Sequence, residues 1–225
     1  MLSRGLQDDY RVVGVDLRNH GRSRHALPHD TPTMAADVFE VMNREGIQAT
    51  YLYGHSMGGK VAMQMALMAP SRVKGLIVGD IAPVAYPRHH DRIFEGMRAL
   101  ESHSFNSREE AAAFLSEYEQ EPAVLSFLLT NLRRGDGGKL SWRIGLKFIE
   151  DDYDQIMKGN EGGPYDGPVL FLKGGDSDYI TSEHRETIVS LFPNAKVRII
   201  DSAGHWFHAE KPEMTLRLVK RFLEK

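Results

Sequence analysis

The stretch "YLYGHSMGGKVAM", residues 51–63, fits two unrelated machines. As G-x-S-x-G it is Gly54-His55-Ser56-Met57-Gly58, a sharp turn that lifts a serine hydroxyl out for covalent catalysis. As G-x-x-x-x-G-K it is Gly54 through Lys60, a loop whose backbone N–H groups cradle phosphate. Both need a strand before and a helix after, so the choice falls to the rest of the chain.

A phosphate loop needs Ser or Thr after its Lys to hold magnesium, and that position is Val61. "LIVGD", ending at Asp80, resembles the acidic strand end that supports such a metal, but such runs are common at strand ends. The elbow explains more residues. Ser56 would sit on a strained strand-to-helix turn, where Gly54 and Gly58 supply the small neighbours and Gly59 permits close helix packing. The same turn aims the backbone N–H of Met57 at a developing oxyanion.

A serine needs a base. The elbow fold delivers its triad in the order Ser, acid, His, and "SAGHWFHAEKP" places His205 on a loop directly after the apolar run "AKVRIID". A lone histidine is ordinarily a packed surface residue; position and chain order favour His205 as the base. His208 is read as structural.

The chain has 225 residues, a formal net charge of −3, 41% hydrophobic residues and no cysteine. The length suits one α/β domain, or one with an insertion. The charge gives no footprint for nucleic acid and no polybasic membrane patch. Without cysteine there is no disulfide, thiolate metal site or Cys nucleophile. No apolar run reaches the length of a membrane span, and "MLSRGLQDDYRVV" lacks the layout of a signal peptide. The expectation is a cytoplasmic protein.

Five short apolar runs read as buried strands: 10–16, 49–53, 73–80, 168–174 and 195–201. Near-continuous hydrophobic strands suit a parallel sheet covered on both faces. Between them, Met34, Val38, Val41 and Met42 share one helical face, as do Met214, Leu218, Val219 and Phe222 after Pro212. The alternation predicts an α/β fold. From Pro83 to Asp166 the rhythm breaks into helix-like segments, with a capping box at "SREE" (107–110) and glycine-rich turns at "RRGDGGK" and "KGNEGGPYDGP". The predicted organisation is a core of 1–82 and 167–225 with a helical cap inserted at 83–166.

Other motifs read as structural. Asp16, Arg18, Asn19 and Gly21 of "DLRNHGRS" form a turn in which Asp16 and Ser23 satisfy backbone groups. The adjacent histidines of "RHHD" (88–91) lack ligand spacing and are taken as a polar entrance to the cap. Met63, Met65 and Met68 are helix packing, not a metal box.

"VDLRNHGRS", "GHSMGGK", "GDIAPV", "FLLTNL" and "AGHWFHAEKP" together resemble the α/β-hydrolase superfamily, most closely the YbfF-type bacterial esterases and their mitochondrial animal relatives. The resemblance covers essentially the whole chain. It implies a serine carboxylesterase acting on short-acyl, small-molecule esters, with no cofactor and no metal, and a mitochondrial-matrix location if the source is a eukaryote.

The acid is ambiguous in the residues themselves. In most α/β-hydrolases it follows the strand here reading "PVLFLKG", as G-x-x-D. Counting from Gly174 that slot is Ser177, and from Gly175 it is Asp178. The YbfF-type pattern has serine in the slot and the acid on the preceding strand end, which implies Asp80, with Ser177 accessory and Asp178 the alternative.

The family also begins with strands that carry a His-Gly loop, the source of a second oxyanion donor. Nothing of that kind precedes Met1. The resemblance therefore implies a strand missing between 10–16 and 49–53, leaving both to expose unpaired backbone or pair with each other. Losing one donor costs ~2.7–4 kcal/mol of transition-state stabilisation. The expected enzyme thus has two rivals: an impaired relic binding small acyl ligands or a partner, and a thioesterase or amidase using the same triad. Nucleotide binding through Lys60 stands third. The oligomeric state is not legible.

Overall fold

A computed structural model describes residues 2–105, 107–135 and 139–224. Helix α1 (Leu2–Leu6) is followed by α2 (Thr31–Arg44), β1 (Thr50–His55), α3 (Met57–Met68) and β2 (Val73–Gly79). A mostly helical stretch follows: α4 (Asp91–Ser102), α5 (Arg108–Leu115), α6 (Pro122–Thr130), a hairpin of β3 (Leu132–Arg134) and β4 (Leu140–Trp142), α7 (Leu146–Asp151) and α8 (Tyr153–Met157). The chain then returns through β5 (Val169–Gly174), α9 (Arg185–Leu191), β6 (Ala195–Ile200), α10 (Phe207–Glu210) and α11 (Pro212–Leu223).

Strands β1, β2, β5 and β6 make one parallel sheet in that order. Their register aligns Ile77 with both Tyr53 and Leu170. β2 and β5 read as continuous apolar runs because helices cover both faces. On one face Ile77, Leu170, Leu172 and Ile200 pack with Phe207 and Val219, flanked by Leu2, Leu6, Leu218 and Phe222. On the other, α3 lies so close that a Cβ on Gly59 would meet Ile81 Cγ2 at 2.7 Å and Val78 Cγ1 at 3.2 Å. Each fully buried branched side chain contributes ~1.5–3 kcal/mol relative to exposure.

Four of the five expected strands are present. The fifth is not: residues 11–17 form no regular structure, and Val12, Val13 and Val15 are exposed. Apolar alternation proposes a strand, but only a ladder partner fixes one, and among the described residues 11–17 has none. β1 accordingly stands at the sheet edge. β6 departs from the buried expectation too, with Val197 and Ile199 exposed along the opposite edge. Met214 and Met68 are exposed as well, so each lies outside the packing stripe its sequence spacing suggested.

The chain divides into two compact units. The first comprises Met1–Val15, Thr31–Ala85 and Lys158–Lys225, and the second Asp16–Asp30 and Tyr86–Met157. The helical segment predicted at 83–166 therefore overlaps a unit that also recruits 16–30, while 83–85 and 158–166 go with the sheet. Within the second unit the expected cap of α5 is present, Ser107 Oγ accepting the Glu110 N–H at 3.1 Å. The hairpin β3–β4 was not foreseen; strands of three residues are too short to carry a period. Leu132 pairs with Trp142, whose Nε1 donates to Met97 O at 2.8 Å. The glycine-rich turn between the two strands lies, at 136–138, outside the described residues.

Candidate active site

β1 ends at His55 and α3 begins at Met57, so Ser56 alone makes the turn. Its backbone sits at φ 53°, ψ −122°, a conformation that costs a non-glycine residue on the order of 1–3 kcal/mol. The turn is held because Ser56 N–H donates to Gly79 O at 2.8 Å and Lys60 N–H to Ser56 O at 3.1 Å. A Cβ on Gly54 would lie 2.1 Å from Gly58 O, so only glycine fits there. Gly58 differs from expectation: a Cβ at that position meets nothing within 4 Å. The small residues demanded are Gly54 and Gly59. Met57 is the first residue of α3, and its N–H is among those a helix start leaves without an intrahelical acceptor.

Asp80 follows β2 at φ 47° and is fully buried. Its Oδ1 accepts the Gly174 N–H at 3.0 Å. Its Oδ2 accepts from Ser177 Oγ and from His205 Nδ1 at 2.8 Å. Two neighbouring parallel strands, β2 and β5, thus present their C-terminal ends to one carboxylate. Asp178, the alternative acid, is exposed, and among the described residues it makes no contact with His205. With Nδ1 donating to Asp80, the lone pair of His205 is left on Nε2. Among the described residues no hydrogen bond joins Ser56 Oγ to that nitrogen.

Two further residues fix His205. His55, the residue before the serine, donates from Nε2 to His205 O at 2.7 Å. Tyr179 stacks on the His205 ring, with centroids 4.1 Å apart and planes 25° from parallel. Burial, then the neighbouring His205 and His208, hold the His55 pKa down at about 3, so it stays a neutral donor. The signal for His55 lay in plain view inside the G-x-S-x-G motif, whereas Tyr179 had none, since its role depends on where a distant loop lands. The His208 ring lies 4.4 Å from that of His55; its Nδ1 is buried without a hydrogen bond, and burial lowers its pKa.

The phosphate-cradle reading fails on geometry. Lys60 is buried; its ammonium donates to Val84 O at 3.0 Å and to Lys158 O, facing away from any phosphate the loop would hold. The Asp80 that a magnesium ion would need is engaged by His205 and Ser177. The turn at 16–23 behaves as expected, with Asp16 accepting the Arg22 N–H at 3.1 Å and Ser23 Oγ donating to Asp16 O at 2.6 Å. His90 Nδ1 meets Tyr153 OH at 2.6 Å, and no group of metal-ligating side chains occurs among the described residues. Among those residues no helix is long and apolar enough to cross a membrane.

Comparison with known proteins agrees with this architecture. Residues 2–212 match the model of the alpha/beta hydrolase fold family. The chain is 36% identical to Esterase YbfF of Escherichia coli over 99% of its own length and 86% of that protein's. It is 40% identical to the mouse sn-1-specific diacylglycerol lipase ABHD11 over 95% of its length and 71% of the relative's. A solved structure described as a marine microorganism esterase superposes with a TM-score of 0.92 at 37% identity, covering 98% of this chain and 88% of the other. A serine turn between a parallel strand and its helix, in a chain matched over nearly its whole length, makes this protein a member of the α/β-hydrolase fold family.

Proposed function

We propose that this carboxylic-ester hydrolase works through a Ser56–His205–Asp80 triad and a covalent acyl-enzyme on short-chain esters. The observation that carries the reading is the fully buried Asp80 carboxylate bonded to His205 Nδ1 at 2.8 Å. That bond selects the tautomer whose Nε2 can accept a proton. Ser56 Oγ attacks the acyl carbon as His205 Nε2 takes its proton. Asp80 stabilises the resulting imidazolium, and Met57 N–H stabilises the oxyanion, a donor worth ~2.7–4 kcal/mol. The C–O bond then breaks, the alcohol leaves with the proton from Nε2, and water repeats the sequence on the acyl-enzyme. Proton transfer needs the Oγ–Nε2 hydrogen bond, which catalytic sites commonly tighten only around substrate.

The short-acyl preference rests on the resemblance to YbfF-type esterases, and the helical unit is assigned the part of a lid that sets acyl length. Hydrolysis of p-nitrophenyl esters from two to sixteen carbons tests both, with matched thioesters and amides as the competing chemistries. A rate that Ser56→Ala leaves unchanged ends the serine reading. One observation favours a second reading: 11–17 has no ladder partner among the described residues and β1 stands at the sheet edge, which fits an impaired relic that keeps its acyl site. A fluorophosphonate probe that leaves Ser56 unlabelled in the folded protein would select it.

A further inference from the structure

The second unit holds a basic concavity that the ester-hydrolysing site does not use. Its first wall is the 16–30 loop, braced from within. Asn19, at φ 65° and fully buried, donates from Nδ2 to Ala26 O at 3.0 Å and accepts the Ala26 N–H at 2.8 Å. The loop is tied down again where Gly145 N–H donates to Asn19 O at 2.8 Å. His25 Nε2 donates to Arg143 O at 3.2 Å, its ring packed where a Cβ on Gly145 would lie 2.9 Å away.

The second wall is the β3–β4 hairpin. Leu132 and Trp142 form one cross-strand pair and are buried, and Arg133 pairs with Ser141. Arg143 N–H donates to Asn131 O at 2.7 Å, continuing the ladder by one pair. Side chains alternate along a strand, so Arg133 and Arg143 share the face opposite the buried pair. Together with Arg22, Ser23 and His25 they line a cavity of about 450 Å³. Among the described residues no carboxylate pairs with the guanidinium of Arg22, Arg133 or Arg143. Asp16 is close through the Arg22 N–H but its carboxylate serves the backbone. Three arginines that line one hollow without a carboxylate partner among the described residues repel one another, in a chain whose net charge is −3. A multiply charged anion reverses that cost, and guanidinium forks match tetrahedral oxyanions bidentately.

We propose that this cavity binds a phosphate group of charge −2 or more, three guanidiniums facing its three terminal oxygens. A carboxylate offers two oxygens and one charge and leaves one arginine unmatched. The group can arrive on a free phosphorylated small molecule or on a phospholipid headgroup.

The test is calorimetric titration of the full chain with inorganic pyrophosphate, alongside Arg133→Gln and Arg143→Gln, with Arg185→Gln on α9 as a charge-matched control. Expected are saturable binding, a loss of tenfold or more in each pocket variant, and no change in the control. Since all three side chains are exposed, melting temperatures should stay within a few degrees of the parent. Absence of heat at millimolar pyrophosphate, or equal loss in all three variants, overturns the proposal. Flotation with phosphatidate vesicles separates the two sources: flotation competed by pyrophosphate assigns the headgroup, and pyrophosphate binding without flotation assigns the free ligand. Flotation that pyrophosphate does not compete counts against the pocket.

Discussion

His55 Nε2 donates to the carbonyl of His205 across 2.7 Å, joining the last residue of β1 to the backbone of the loop that carries the His205 imidazole. The two rings lie 4.7 Å apart between centroids. The serine turn and the His205 loop are therefore one assembly, although 150 residues of sequence separate them. His55 is accordingly read as a positioning residue, acting through the backbone of the proposed base His205.

Replacing His55 tests that role. His55→Phe keeps bulk but removes the donor and should lower kcat about tenfold, the scale of one lost hydrogen bond of ~1–1.5 kcal/mol, with KM little changed. His55→Gln retains an N–H donor and should recover most of the loss. A Gln variant as slow as the Phe variant would assign His55 to packing alone.

The choice of acid has its own signature. Asp80→Asn preserves shape but favours the wrong His205 tautomer, and a fall in kcat of about 10⁴ is expected. Asp178→Asn, at an exposed position, should leave kcat within about twofold. The reverse ranking in steady-state kinetics would move the acid to Asp178.

Gly54 and Gly58 should part company. Gly54→Ala forces a Cβ to within 2.1 Å of Gly58 O and should cost ~1–3 kcal/mol or more in urea unfolding. Gly58→Ala meets nothing within 4 Å at a helix start, so stability should hold or rise by up to ~1 kcal/mol. Equal losses at both positions would show that the turn is strained differently.

Acid should destabilise the fold through its histidines. Burial lowers the pKa of His20, His55 and His208, and sets that of His29 at about 4. The unfolded chain binds these protons first, from about pH 6.5 downward, so the stability they contribute is full above that pH and is lost as pH falls towards 4. His29 is fully buried, and its share is on the order of 3 kcal/mol at the acid end. The melting temperature should fall between pH 6.5 and 4, and His29→Gln should flatten the fall. An unchanged slope in that variant would remove His29 from the account.

Lys60 should matter for the fold and not for nucleotide. Its ammonium bonds the carbonyls of Val84 and Lys158, next to the two points where the chain passes into and out of 86–157. Lys60→Met leaves those carbonyls to find other partners, at ~1–3 kcal/mol each if they stay buried and unpaired. Reduced urea stability with no magnesium-dependent ATP binding in either protein is expected.

What depends on neighbours along the chain is legible in the residues alone. The glycines around Ser56, the apolar runs of β2 and β5 and the Ser107 cap are local patterns, each with one low-energy conformation to express. The rest depends on which distant groups become neighbours once the chain is folded. Residues 10–16 read as a strand and are not one, because among the described residues they have no ladder partner. The sequence leaves Asp80, Ser177 and Asp178 open as the acid, and only the fold brings the Asp80 carboxylate within 2.8 Å of an imidazole 125 residues away. The phosphate loop and the serine elbow share the five residues Gly54 to Gly58, and they separate only when the fold turns the Lys60 ammonium towards the carbonyls of Val84 and Lys158 and leaves Ser56 on the bend. Propensity is written in chain neighbours, whereas hydrogen-bond partners across a parallel sheet are set by register, which no short stretch contains.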